Sequence, residues 1–293
     1  MANNINLSKV YTPLVDELYR ASSKSAVLNS NEEYIRQGAN SKEILYPQVS
    51  VNGLGDYSRN DGYTNNSVSV EWKTATYNYD RGTKISVDSM DDQETFNISF
   101  SGAMRSLIND KVAPEADAFT FATLAGKTGV SVANVAGETY EDASAFLTAL
   151  IKAKTKMDED EVPEENRYLF ATPTLVNGIM ALDTIKSREI LATFAQIVKV
   201  PQSRFYTAID LLDGKSDGEE AGHYKKATDG KDLNFLIVHK PAVIKGDKHV
   251  VSDVIAPAQN PDSDAYISKY RKYGIVDVLD NKVAGIYVSY KAN

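Results

Sequence analysis

The sequence predicts an α+β protein on three observations. A long hairpin of alternating apolar residues occupies the first third, an apolar face at helical spacing follows it over about 35 residues, and strands then alternate with helices to the end. Composition sets the outer bounds. A chain of 293 residues can bury a large core unaided, and with no cysteine it has neither disulfides nor thiolate chemistry. The formal charge of -8 argues against a dedicated nucleic-acid binder, although it permits loose enclosure of nucleic acid. No apolar run approaches the roughly 20 residues needed to cross a bilayer, and no leader pattern opens the chain, so a soluble, cytoplasmically made protein is expected. The Asn-X-Ser triplets at Asn6, Asn65 and Asn97 therefore carry no glycosylation meaning.

Leu7, Val10, Tyr11, Leu14, Val15, Leu18 and Tyr19 recur at helical spacing, with Thr12-Pro13 as cap and first-turn proline, and predict a short amphipathic helix. The polar stretch from Ser22 to Asn40 reads as an extended arm. From Ile44 the texture is that of a strand: Val49 and Val51 alternate, a turn-rich tip runs through Asn65-Asn66, and Val68, Val70 and Trp72 alternate again. A two-stranded ribbon is marginal alone in water, so this one is expected to pack on another chain. Its aromatic residues Tyr57, Tyr63, Trp72, Tyr77 and Tyr79 are the candidates for that burial, because aromatic anchors dominate interfaces, with core packing as the competing reading.

Phe96, Phe100, Ala103, Met104, Leu107, Ile108, Val112, Phe119 and Ala122 share one helical face between Asp91 and Ala125, a span of roughly 50 Å if fully helical. Pro114 lies inside it and is expected to kink or interrupt it. A second helix carries Ala143, Phe146, Leu147, Leu150, Ile151 and Met157, with Thr139 to Asp142 read as a capping box. A strand at Tyr168 to Ala171, a helix opened by Thr172-Pro173, a variable loop from Asp213 to Asp232, a strand from Leu233 to Val238 and a terminal hairpin of Gly274 to Leu279 with Val283 to Tyr290 complete the pattern.

Motifs for chemistry fail on inspection. Gly126-Lys127-Thr128 and Gly214-Lys215-Ser216 lack the earlier glycine of a phosphate loop, where Phe121 and Ile209 stand. Gly53-Leu54-Gly55 lacks its third glycine and precedes no helix. The acidic run Asp158 to Glu161 has no metal-loop spacing, His223, His239 and His249 form no ligand motif, and no nucleophile elbow occurs. No catalytic, cofactor or metal residue is assigned, and the chain is read as a non-enzyme.

The order of arm, hairpin, long helix, α/β region and closing strands resembles the HK97-like fold of tailed-phage major capsid proteins. Two strings carry the likeness: Lys111-Val112-Ala113-Pro114-Glu115-Ala116-Asp117-Ala118-Phe119, and Asn281-Lys282-Val283-Ala284-Gly285-Ile286-Tyr287-Val288. The resemblance implies an N-terminal arm at 1–43, an extended loop (E-loop) at 44–87, a peripheral domain with a spine helix at 88–135 and 262–280, and an α/β axial domain at 136–261 and 281–293. It implies a shell of hexamers and pentamers around double-stranded DNA, contacted non-specifically, in a virion assembled in the bacterial cytoplasm. Partners would be further copies of the chain, a portal protein and a separate scaffolding protein, since the chain begins almost directly with the arm; a decoration protein is left open. Pro114 would be a hinge. Some relatives cross-link subunits through a lysine and an asparagine; Lys73 and Lys84 lie in the right loop, yet nothing marks them as more than surface lysines. An encapsulin-like nanocompartment shell is the alternative, and a soluble α/β enzyme without a recognised motif a more distant one.

Overall fold

The computed structural model describes residues 23–30, 36–37, 42–55, 57–60, 67–94, 103 and 105–292. The helix expected before residue 20, the tip residues Asn65 and Asn66, Tyr63, and Phe96, Phe100 and Met104 lie outside those residues.

The chain enters with a 3₁₀ turn at Ala26–Leu28 and then builds a three-stranded antiparallel sheet from β1 (Arg36–Gln37), β2 (Glu43–Val51) and β3 (Val68–Thr76). Next come β4 (Tyr79–Asp88), α1 (Ser89–Glu94), a π-helical stretch at Leu107–Val112, α2 (Ala113–Gly126) and β5 (Ser131–Val132). The α/β region follows: α3 (Ala143–Glu159), β6 (Arg167–Ala171), α4 (Pro173–Leu182), α5 (Ile185–Ala192), β7 (Gln196–Lys199), β8 (Ile209–Leu211), β9 (Tyr224–Lys226) and β10 (Leu233–His239). It ends with β11 (Val243–Ile255), β12 (Ala265–Val278) and β13 (Ile286–Tyr290).

A five-stranded sheet in the order β5-β13-β10-β6-β7 is the centre of the molecule. Every residue of β10 is buried, which is why that strand reads as a nearly continuous apolar run. Alternation then sends its side chains to two cores. Leu236 and Val238 join Phe121, Leu124, Phe170 and Phe205 on one face, while Phe235 and Ile237 join Phe146, Leu150, Met157 and Ile179 on the other. Helix α2 covers the first face and α3 to α5 the second, giving a three-layer arrangement.

A second sheet, β11-β12-β4, carries long antiparallel ladders, with Val243 opposite Val278 at one end and Ile255 opposite Ile267 at the other. The corner between β3 and β4 is fixed to it by Asn78, whose amide donates to Val276 O at 2.7 Å and whose Oδ1 accepts from Val276 N at 3.1 Å. A small core of Ile44, Ala75, Ile244 and Ile275 roots the hairpin on this sheet.

Four expectations need correction. The N-cap of α3 is Asp142, whose Oδ1 accepts from Ala145 N at 2.7 Å; Thr139 lies too far upstream, because the backbone becomes helical only at Ala143. The terminal hairpin does not form: β12 and β13 belong to different sheets, because a 3₁₀ turn at Asp280–Gly285 redirects the chain, and β13 pairs antiparallel with β10 and parallel with β5. The loop from Asp213 to Asp232 contains β9, paired with β8. Pro114 does not break the helix. Ala113 N donates to Ile108 O, five residues back, so the chain widens into π spacing before the proline, where its missing donor and bulky ring would otherwise disrupt the ladder. Val112 and Ala113 keep right-handed helical torsions throughout.

The ladders also bear on the expected segment limits. Residue 261 falls between β11 and β12, two strands of one sheet, and β4, which runs across the limit at 87, pairs with β12 and not with the hairpin.

Candidate assembly surface

Antiparallel register places directly opposed residues on one face of a ladder. In the β2-β3 hairpin the opposed pairs Pro47/Trp72, Val49/Val70 and Val51/Val68 therefore share a face, and the pairs Gln48/Glu71 and Ser50/Ser69 share the other. All six residues of the first face are exposed in the single chain, Val49 at 59% and Trp72 at 48%. A strand pair normally turns its apolar face to a core; this one presents a stripe three pairs long to solvent. Ile44 and Ala75, which enter the small core at the root, are opposed on the other face.

The aromatic candidates divide. Trp72 stands on the stripe and Tyr57 is exposed near the tip. Tyr77 stacks on Tyr273 of its own chain, with ring centroids 4.8 Å apart, and Lys248 lies over it at 5.1 Å. Tyr79 is only 5% exposed and packs against Phe119, so its ring is committed to its own core. An intersubunit role expected for Tyr79 is physically closed to it. Tyr63 is outside the described residues.

Two buried polar clusters fix the elements around the hairpin root. In the first, Tyr79 OH donates to Glu115 Oε1 at 3.1 Å and Arg81 Nε to the same oxygen at 2.7 Å, while His223 Nδ1 lies 3.5 Å from Oε2. Burial pushes the Glu115 carboxyl up, but the His223 and Arg81 groups outweigh it and hold the carboxyl below its ordinary value. Burial, and then the neighbouring Glu115 charge, push the Tyr79 phenol far up. Arg81 Nη2 also donates to His223 O at 3.2 Å, tying the loop before β9 to β4 and α2.

The second cluster centres on Asp117, fully buried in α2. Its carboxylate accepts from Ser23 Oγ at 2.7 Å, Lys24 N at 2.9 Å, Ser25 N at 3.0 Å and Ser25 Oγ at 2.8 Å. Arg204 Nη1 completes the shell at 3.1 Å. Lys245 Nζ in turn donates to Ser25 O at 2.6 Å and Ser25 Oγ at 2.8 Å, and burial pushes its amine down to about 8. Leu28, fully buried, plugs the same strap into the main core. Residues 23–30, part of the stretch read as an extended arm, are thus clasped to α2 and β11. No local pattern announces this clasp, since its partners lie more than 90 residues away in sequence.

The features weighed as chemistry are engaged structurally. Lys127 Nζ bridges Asp277 and Asp280, each at 3.0 Å, and Asp213 Oδ1 accepts from Lys215 N and Ser216 N as a turn. In the acidic run, Asp158 pairs with Arg167 at 2.7 Å, Asp160 with Lys156 at 2.5 Å, and the neighbouring Glu164 with Lys154 at 3.2 Å. Among the described residues no three His, Asp or Glu side chains converge as a metal site.

The chain superposes on one in the capsid structure of the cyanophage P-SCSP1u with a TM-score of 0.57 and 14% identity, over 94% of this chain and 89% of the other. It superposes on one in the asymmetric unit of the bacteriophage PhiM1 mature capsid with a TM-score of 0.54 and 12% identity, over 86% and 83%. The virus-like particle from Pyrococcus furiosus gives a TM-score of 0.54 and 10% identity, over 97% and 99%. The chain therefore has the fold of these shell subunits. No family model and no curated protein matches the sequence.

Proposed function

We propose that this chain is the major capsid protein of a tailed phage, a non-enzymatic subunit that assembles as hexamers and pentamers into an icosahedral HK97-like shell. The observation that carries this reading is the exposed apolar stripe of the hairpin, set in a fold shared with capsid subunits. Such a face gains roughly 25 cal/mol for each Å² withdrawn from water, and a neighbouring copy is the surface that a repeating shell supplies. The hairpin is then the extended loop, and the helix through Pro114 the spine.

In this reading the arm is 1–43 and the peripheral domain takes 88–135 and 262–280. Residues 243–255 go with that domain, because β11 and β12 form one ladder. The remainder of 136–261, with 281–293, is the axial domain. The π stretch before Pro114 is the adaptable point between subunit environments, since its looser hydrogen bonding costs little to bend. A scaffolding protein, a portal protein and the packaged double-stranded DNA are the partners of such a subunit, and the virion, assembled in the host cytoplasm, is its place.

A second reading has its own support. The likeness to the Pyrococcus furiosus particle spans nearly all of both chains, which fits an encapsulin-like compartment equally well as a fold. Electron microscopy of assembled particles, with analysis of their contents, separates the two. Nucleic acid inside supports the capsid; protein cargo supports the compartment; absence of closed particles under all conditions of salt and co-expression removes both.

A further inference from the structure

A cleft of about 400 Å³ lies between the start of the helix through Pro114 and strand β9. Lys111 stands on one wall and Lys225 and Lys226 on the other, with Arg204 and Tyr206 also lining it. Among the described residues the one carboxylate on its wall is Asp110, which accepts from Ser106 Oγ at 2.9 Å. Arg204 is already paired with the buried Asp117. Lys226 is shared with Asp232 at 2.7 Å and faces the Tyr206 ring at 5.6 Å. Lys111 and Lys225 are exposed, and neither has an ion-pair partner among the described residues.

This concentration of cations runs against the whole chain, which carries 40 acidic and 32 basic side chains. Lysines lining one cleft repel one another, at a cost that a bound anion relieves. The walls are charged and hydroxylic, so an apolar ligand gains nothing by entering. A polyanion does, because each phosphate neutralised by a lysine releases a condensed counterion. The sites are single ammonium groups on flexible stems, without the planar forks that read base edges.

We infer that this cleft binds the phosphodiester backbone of nucleic acid without regard to sequence, through Lys111 and Lys225. The inference rests on the shell reading and deepens it: it makes the contents nucleic acid in place of protein cargo. The π stretch that accommodates Pro114 also carries Lys111, so the same local widening of the helix sets the position of one wall.

The test uses the purified full chain and a fluorescent duplex of arbitrary sequence, titrated between low and moderate salt. Lys111→Gln/Lys225→Gln is compared with Lys152→Gln/Lys186→Gln, which removes two exposed lysines from α3 and α5. The expected result is a fall of about two in the slope of log K against log salt for the cleft variant only, from roughly 0.9 per lost phosphate contact. Equal slopes in the two variants overturn the inference, and so does a wild-type chain that does not bind the duplex. Tighter binding of polyglutamate at matched charge overturns it in favour of an acidic protein partner. Sedimentation of the same variants reports assembly separately. Shells that form normally with an unchanged slope reject the cleft alone, whereas failure of the wild type to assemble rejects the shell reading whatever the duplex does.

Discussion

Ser25 Oγ donates to Asp117 Oδ1 at 2.8 Å, across 92 residues of sequence and with both residues fully buried. The bond joins the strap of residues 23–30 to the helix through Pro114, and the strap reaches β11 as well, where Ser30 N donates to Lys245 O at 2.9 Å. A buried carboxylate in such a setting is stable only while its donors remain, because its charge has no other compensation.

Asp117→Ala therefore removes the carboxylate that pairs with the buried Arg204 and takes the acceptor from four backbone and hydroxyl donors of the strap. Loss of one partner from a buried pair costs about 3 to 5 kcal/mol. Urea unfolding of this variant should show a midpoint far below the wild type, with faster tryptic cleavage at Lys24. An unchanged midpoint would mean that the strap is not held by this carboxylate.

Lys245 makes stability depend on pH in the alkaline range. Its folded value of about 8 lies below the ordinary 10.5, so between these limits the unfolded chain holds a proton that the folded chain has released. Stability from this group is withheld below pH 8 and recovered as pH rises towards 10.5, by roughly 3 kcal/mol in all. The difference in unfolding free energy between wild type and Lys245→Met should grow with pH across that window. Parallel curves would show that the amine is not desolvated.

Glu115 acts on the acid side and with the same sense, because its folded value is depressed as well. Its folded value is depressed, so its contribution is complete above the ordinary value of 4.5 and is lost as pH falls through the folded one. Glu115→Gln should flatten the acid limb of a pH-unfolding curve while leaving the limb above pH 6 nearly parallel to the wild type. An acid limb as steep as before would place the titration elsewhere.

Pro114 can be tested through the backbone it distorts. With Pro114→Ala the missing donor returns and the ring clash disappears, so the stretch Leu107–Val112 should tighten from π to α spacing. Amide exchange at residues 110–114 should then slow by about tenfold or more, corresponding to roughly 1.4 kcal/mol of added protection. Unaltered exchange would assign the widening to packing and not to the proline.

What the sequence disclosed follows from the range of the forces involved. The hairpin, β10 and α3 were legible because each is written as a periodic pattern within ten to twenty residues, and register follows from that pattern. The cap of α3 was misplaced by three residues because Thr139 and Asp142 are both good caps, and only the onset of helical torsions chooses between them. The separation of β12 from β13 was invisible: Asp280, Asn281 and Lys282 between two apolar runs look like a hairpin loop, and the 3₁₀ turn that diverts the chain has no strong signature of its own. Tyr79 differs from Trp72 only in what lies across from it, Phe119 and Glu115, which are distant in sequence. Lys245 reads as an ordinary strand lysine until the strap closes over it.

If the hairpin stripe is an interface between copies of this chain, Val70→Asp should abolish assembly without unfolding the subunit. The residue is exposed in the single chain, so the change should leave the unfolding midpoint within about 0.5 kcal/mol of the wild type. The measurement is sedimentation velocity of both proteins under conditions where the wild type forms fast particles. Closed shells are expected for the wild type and only slow, folded subunits or small rings for Val70→Asp, because a buried unpaired carboxylate is not tolerated in a repeated contact. Equal assembly by the two proteins, or a wild type that stays monomeric under every condition, would contradict it.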